Sequence, residues 1–331
     1  VFVSFIFGVK GNSWLGLRKK AKIGVVIPSK TEYNDEIIKE IKISIDNDKM
    51  YIKNYGSNLS NTDIEFYEIF NEMLSIAYKD KPDYLIVHPP TQDYANAKKA
   101  KKIFLSLMRK GTKIIFINTV PDFSSNDIKQ FKKSNQFCTI KYNSDSGSKI
   151  LCEQIKLRMK LNERNDKCIL LINGPKYSED ANHRAQLFFD TLEANIAYSC
   201  NTNSWLQSSG KYAIRNYHKE NNSIPEIVIC GNDDIALGVC DFIYKSKSSN
   251  NLTKIIGFDG IRSAISRIKM PESSFWATIK IPPKEFGRQA IKHINNDIQN
   301  KPVEPLYEIT SDNNAFISET DFKLFANEFR K

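Results

Sequence analysis

The chain has 331 residues, with 48 Lys and Arg against 38 Asp and Glu, a formal charge of +10, and 41% hydrophobic, 26% charged and 11% aromatic residues. That length predicts two domains or one large one, and the apolar content supplies a core, which excludes wholesale disorder. The 12 Pro and 14 Gly follow no period, which excludes collagen-like fibres, and no apolar run reaches the roughly 18–20 residues that span a bilayer.

The nine residues from Val1 to Val9 are apolar and lead into a polar, basic stretch. Residues 1–21 are read as the remainder of an export signal. From Lys22 the pattern becomes regular. Short apolar runs at 22–27, 50–55, 83–87, 113–117 and 137–142 predict strands, and the stretches 35–46, 63–78 and 94–109 carry apolar residues at helical spacing. The second half repeats the theme. Strands are expected at 167–172, 196–200, 226–230, 254–258 and 276–279, and helices at 147–161, 180–194, 208–220, 234–246, 261–268 and 283–300. Such alternation means β-α-β units and parallel sheets, and two series in tandem predict an α/β protein of two doubly wound lobes. Ligand loops then lie at the carboxyl ends of the strands.

The positive charge is spread along the chain. Its small clusters, Arg18-Lys19-Lys20, Lys98-Lys99 with Lys101-Lys102, and Lys132-Lys133, each adjoin an apolar segment and read as solvated helix faces. A nucleic-acid reader would gather this charge on one face, so no nucleic-acid partner is expected. Cys138, Cys152, Cys168, Cys200, Cys230 and Cys240 form no CxxC pair, and His88, His183, His218 and His293 are scattered. No metal, cofactor or His-based triad is therefore expected. No glycine-rich dinucleotide loop or Walker sequence follows any strand; Asn173-Gly174-Pro175 resembles a phosphate turn only superficially, since Pro175 removes an amide donor. No Gly-x-Ser-x-Gly elbow is present either, so catalysis is not expected.

The loops after the strands carry Ser29, Lys30 and Tyr33; Asn143, Ser144 and Asp145; Asp180, Asn182 and Arg184; Asn201, Asn203 and Trp205; Asn232, Asp233 and Asp234; and Asp259. Carboxylates and amides exchange hydrogen bonds with hydroxyls, an arginine fork binds two oxygens at once, and aromatic rings cover C–H faces. As a group these residues fit a polyol or sugar-like ligand held between lobes. Each also has a plainer reading: Asp180, Asp233 or Asp234 as helix caps, and Trp205 as core.

Taken in order, Ile23-Gly-Val-Val-Ile-Pro-Ser29, Ile172-Asn-Gly-Pro175 with Arg184 beyond it, Gly231-Asn-Asp-Asp-Ile-Ala-Leu-Gly238, Ile256-Gly-Phe-Asp-Gly260 and Ala277-Thr-Ile279 resemble the type I periplasmic binding proteins. The effector domain of lactose-repressor-type regulators shares that fold. The resemblance spans roughly residues 22–310 and implies two lobes joined by a hinge. It places the N-terminal lobe at 22–142 with part of 281–331, the C-terminal lobe at 143–280, and a return segment and tail at 281–331. It implies that Arg184, Asn232 and Asp259 bind ligand, that Trp205 stacks on it, and that Asn143 stands where sugar binders usually carry Asp. Tyr33 matches one aromatic of their first loop, and Asp233 completes the expected ligand set of Tyr33, Asn143, Arg184, Trp205, Asn232, Asp233 and Asp259. Ile281 stands where those proteins carry a hinge-side Gln, which points away from ribose and galactose.

Three stretches, Lys81-Pro-Asp-Tyr-Leu-Ile86, Ile229 to Gly238 and Asn300-Lys-Pro-Val303, are similar to the quorum-sensing autoinducer receptors, which bind a furanosyl signal and act on a membrane sensor kinase. The first loop lacks the tryptophan those receptors carry. The resemblance thus implies a periplasmic receptor for a small polar ligand, serving a membrane permease or a sensor kinase. A repressor would need roughly 50–60 residues of helix-turn-helix before the sensor domain. Only 21 residues precede Lys22, so the effector domain of a regulator is the alternative and not the first expectation.

Overall fold

The structure, a computed structural model, describes residues 20–28, 31–56, 63–91, 95, 97–133, 135–163, 166–246 and 253–322. The proposed leader lies outside this set, apart from its last two residues, and so do Ser29 and Lys30. The first series runs β1 (Ala21–Val26), α1 (Glu32–Ser44), β2 (Met50–Asn54), α2 (Asp63–Asp80), β3 (Tyr84–Val87), α3 (Lys98–Arg109), β4 (Lys113–Ile117), α4 (Ser125–Lys133), β5 (Phe137–Tyr142) and α5 (Ser144–Arg158). The second runs β6 (Ile169–Pro175), α6 (Glu179–Leu192), β7 (Ile196–Thr202), α7 (Gln207–Asn221), β8 (Ile227–Cys230), α8 (Asp233–Ser246), β9 (Lys254–Ile256), α9 (Arg262–Ile268) and β10 (Phe275–Ile279). The chain returns through α10 (Pro283–Ile298), β11 (Leu306–Ile309) and β12 (Phe316–Ser318).

Two sheets result, ordered β2-β1-β3-β4-β5-β11 and β7-β6-β8-β9-β10-β12. All neighbours are parallel except β10 and β12, which run antiparallel. These are the two doubly wound lobes that the alternation of apolar runs predicts. The inner strands β3, Tyr-Leu-Ile-Val, and β10, Phe-Trp-Ala-Thr-Ile, bury every side chain, because helices cover both faces. The edge strand β2 alternates instead, with Met50 buried and Tyr51 exposed.

Three elements have no counterpart in the sequence reading: α4, β11 and β12. Only Ile309 of β11 is buried, so its pairing along Thr139 to Tyr142 of β5 makes it a strand, and no apolar run announces it. Helix α1 also starts three residues before the expected 35. Thr31 accepts the Asn34 amide at 3.2 Å and caps the helix there.

Glycines set the closest helix contacts. A Cβ on Gly210 would stand 2.1 Å from the Ile235 carbonyl oxygen, and one on Gly238 would stand 1.9 Å from that of Gln207. Helices α7 and α8 therefore meet backbone to backbone.

The chain crosses between the lobes three times: after Tyr142, between β10 and α10, and between β11 and β12. Ser311 ties these crossings together. Its amide donates to Ser146 Oγ at 3.0 Å, its hydroxyl to the Lys280 carbonyl at 3.3 Å, and its Oγ lies 2.6 Å from the Tyr142 hydroxyl. Glu32 of α1 also reaches across to α9. Its carboxylate accepts the Arg262 amide at 2.8 Å, the Ser263 amide at 3.0 Å and the Ser263 hydroxyl at 2.7 Å. This is a latch between lobes, supported by Lys141 to Glu179 at 2.9 Å.

Replacing Gly238 with Ala forces α7 and α8 apart and costs roughly 1–3 kcal/mol, read as a lower urea midpoint with an unchanged slope. Losing the three Glu32 bonds removes roughly 1–2 kcal/mol from the closed arrangement. Glu32→Ala is therefore expected to enlarge the radius of gyration in small-angle X-ray scattering. An unchanged radius would show that closure does not depend on Glu32.

Candidate ligand-binding cleft

In each sheet the strand order reverses beside its first strand, between β1 and β3 and between β6 and β8. The loops leaving the carboxyl ends of such a pair diverge to opposite faces and open a crevice. The loops of both sheets border one cavity that is partly open to solvent. Thr31, Tyr33, Asn34, His88, Pro90 and Asn118 form its N-terminal wall, and Ser178, Asp180, Arg184, Trp205, Asn232, Asp234 and Asp259 its C-terminal wall.

Arg184 lies at the centre of the second wall. Helix α6 buries Ala181, Arg184, Phe188 and Leu192, so the arginine occupies a position of the apolar stripe. A buried guanidinium needs partners. Nη1 donates to the Gly231 carbonyl at 2.7 Å and lies 3.7 Å from Asp259 Oδ1. The guanidinium also sits 4.0 Å from the Phe258 ring centre and 5.7 Å from that of Trp205. Its Nε is buried and has no partner, a donor left for whatever enters the cleft.

Trp205 is held by its surroundings. Its ring lies on Gly174, where any Cβ would approach to 2.2 Å, and its carbonyl accepts Asn232 Nδ2 at 3.2 Å. The Asn-Gly-Pro turn thus makes room for an aromatic ring. Asn232 also caps α8, its Oδ1 accepting the Ile235 amide at 2.9 Å. Asp259 has φ of 121°, a left-handed backbone that costs roughly 1–3 kcal/mol for a residue other than glycine. Its amide and carbonyl bond to Ile279 and Ile281 at 2.8 and 2.9 Å, which hold the strained residue in place.

On the N-terminal wall, Asn34 Nδ2 donates to the Pro28 carbonyl at 2.8 Å, which leaves Oδ1 facing His88 Nδ1 at 3.0 Å. The His88 proton is thereby placed on Nδ1, and Nε2 remains an acceptor. Burial holds the His88 pKa down at about 4, so the ring is neutral at physiological pH. Burial and the charge of Asp259 raise the pKa of the Tyr33 hydroxyl.

Five of the seven expected ligand residues, Tyr33, Arg184, Trp205, Asn232 and Asp259, meet in this cavity. The other two do not reach it. Asn143 caps α5 at the lobe crossing, accepting the Ser146 amide at 3.2 Å. Asp233 turns into the core, where Oδ2 accepts the Ile261 amide at 2.9 Å and Oδ1 the Thr278 hydroxyl at 2.6 Å. Its neighbour Asp234 takes the place in the wall. Of the other loop residues, Asn182 and Asn201 bond the Lys176 and Gly174 carbonyls. The wall residues overlooked were Thr31, Asn34, His88, Pro90, Asn118 and Ser178. His88 and Asn118 directly follow predicted strands, so strand-end position alone would have flagged them.

Among the described residues, no group of three or more His, Cys, Asp or Glu is arranged to hold a metal ion, and no disulfide links the six cysteines. No helix among them is long and apolar enough to cross a membrane. Burial raises the carboxyl of Asp233 to about 7 and that of Asp234 to about 6, and lifts Asp180 and Asp259 as well. A carboxyl whose folded pKa exceeds its unfolded value contributes stability below the unfolded value and loses it as pH rises through the folded one. For Asp234 that window runs from about pH 4 to about pH 6. Asp234→Asn keeps an acceptor for Gln207 but has nothing to ionise. Its melting temperature relative to the parent is therefore expected to rise from pH 4 to pH 8, by the equivalent of roughly 1–3 kcal/mol.

None of the curated proteins compared matches the chain. Solved structures match its fold. An ABC transporter solute-binding protein from Actinobacillus succinogenes with bound D-allose superposes with a TM-score of 0.70 at 16% identity, covering 92% of this chain and 100% of the other. A glucose-galactose binding protein from Geobacillus stearothermophilus gives 0.71 at 16% identity, covering 92% and 99%. An ABC transporter solute-binding protein from Bacillus halodurans with bound myo-inositol gives 0.68 at 16% identity, covering 94% and 99%. The periplasmic binding protein domain model matches residues 23–302. By that match, most of its length, the chain belongs to the periplasmic binding protein family, a family of solute-binding proteins and not of enzymes.

Proposed function

We propose that this protein is an exported receptor that captures a small, sugar-like ligand between its two lobes in the periplasm and delivers it to a membrane permease. The observation that carries the reading is the cleft itself: one buried guanidinium with an uncommitted Nε, carboxylates around it, and the rings of Trp205 and Tyr33 on opposite walls. Hydroxyl groups suit such a set, since each gives one proton and accepts another, while a ring's C–H face rests on an indole. Tyr33, Arg184, Trp205, Asn232, Asp234 and Asp259 are the residues we assign to ligand contact. We assign the lobes to the two sheets, with Asn143, Ile281 and Ser311 in the crossings that act as the hinge.

The proteins with bound D-allose and myo-inositol are both described as ABC transporter components, which favours a permease partner over a regulator. Coupling to a sensor kinase rests on the three receptor-like stretches alone. The test is a thermal-shift screen with sugars, cyclic polyols and furanosyl compounds. Arg184→Ala and Asp259→Ala should each abolish ligand-induced stabilisation, a loss of at least about 3 kcal/mol of binding energy, and still fold as judged by circular dichroism. Binding that survived both substitutions would place the ligand elsewhere.

A further inference from the structure

Among the described residues, the cleft is short of positive charge. Its described wall carries three carboxylates, Asp180, Asp234 and Asp259, and a single cation, Arg184. That cation is largely committed, with Nη1 bonded to Gly231 and 3.7 Å from Asp259, and its charge also acts on Asp180. Asp234 accepts the neutral Gln207 amide at 3.1 Å, and no ion pair joins Asp180 or Asp234 to any described residue. The described residues of the opposite wall add hydroxyl and amide groups and a neutral imidazole, but no charge. Further out, Glu32 adds to the negative field at Asp234, while Glu179 opposes and Lys141 and His183 favour the charge on Asp180. Asp233 adds to the negative field at Asp259 and is itself bonded to Ile261 and Thr278.

Ionised carboxylates only accept hydrogen bonds, and an ammonium only donates, three at a time. Bonds between the two are about twice as strong as neutral ones, and the low dielectric of a closed cleft strengthens them further. An anion would meet the same field with the opposite sign. We propose that the cleft selects a cationic polyol: an amino sugar whose ammonium is held by Asp234, with Asp180 adding to the negative charge of the same wall, while its hydroxyls meet Arg184 and Asp259. This inference rests on the sugar-like reading of the cleft and adds the charge of the ligand to it.

Calorimetry near neutral pH with matched pairs tests it: D-glucose and D-glucosamine, D-galactose and D-galactosamine, D-mannose and D-mannosamine, with N-acetyl-D-glucosamine and D-glucuronate alongside. The expected result is a pair in which the amine binds at least about tenfold more tightly than its parent sugar, with the uronate not binding. N-acetylation, which keeps the bulk and removes the charge, should erase the advantage. Asp180→Asn and Asp234→Asn should each reduce it, and two substitutions keep the test valid should one fail to fold. Parent sugars binding as well as their amines in every pair, or an advantage that outlasts both substitutions, would overturn the charge assignment and leave the sugar-like reading intact. Failure of every sugar, charged or neutral, would overturn both.

Discussion

Strand order is the constraint on which the cleft depends. Each sheet starts in its interior, steps outward to β2 or β7, and then reverses past its first strand. Loops beside the reversal are pulled to opposite faces, so backbone separates there without any side chain forcing it. Since both lobes share one order, two such gaps come to face each other, and the residues at strand ends become the lining of a single cavity. Composition matters only after this. Hydroxyls, amides and charges at those ends acquire a role because topology has already emptied the space between them.

Within that space, the placement of one charge organises the rest. Arg184 projects from the buried stripe of α6, and each neighbouring feature answers its burial. The Gly231 carbonyl takes one N–H, Asp259 supplies opposite charge, and Phe258 and Trp205 cover the planar faces. Asp259 holds its position through a strained backbone that two ladder bonds keep in place, and Trp205 holds its own because Gly174 lacks a side chain. Buried charges seldom add net stability, so this cluster is understood better as preorganisation than as a contribution to the fold.

Much of the architecture was legible because buried parallel strands are unbroken apolar runs. Val-Val-Ile, Tyr-Leu-Ile-Val and Ile-Val-Ile-Cys leave little else to read. Edge elements were not legible: β11 and β12 are defined by the strands they pair with, and α4 has few apolar residues. The site divides in the same way. Arg184, early in the helix that follows β6, and Asp259, beyond β9, stand out as charges, whereas His88 and Asn118 are marked only by their place just after β3 and β4. Asp233 and Asp234 are the clearest limit. Consecutive helix residues point about 100° apart, and nothing in Asn-Asp-Asp says which carboxylate turns to the cleft and which to the Thr278 hydroxyl. Asn143 fails for another reason, since a helix cap and a ligand contact use the same amide at the same loop end.

Thr31, Glu32 and Tyr33 join three tasks in consecutive residues. The first caps α1, the second grips the opposite lobe, and the third forms part of the cavity wall. Because a helix turns rigidly, none of these side chains can be re-aimed without carrying the other two along. Occupancy of the cavity and engagement of the lobes are thereby geared together through less than one helical turn. Such gearing suits an all-or-none reading of the bound state by a partner that sees only the outer surface.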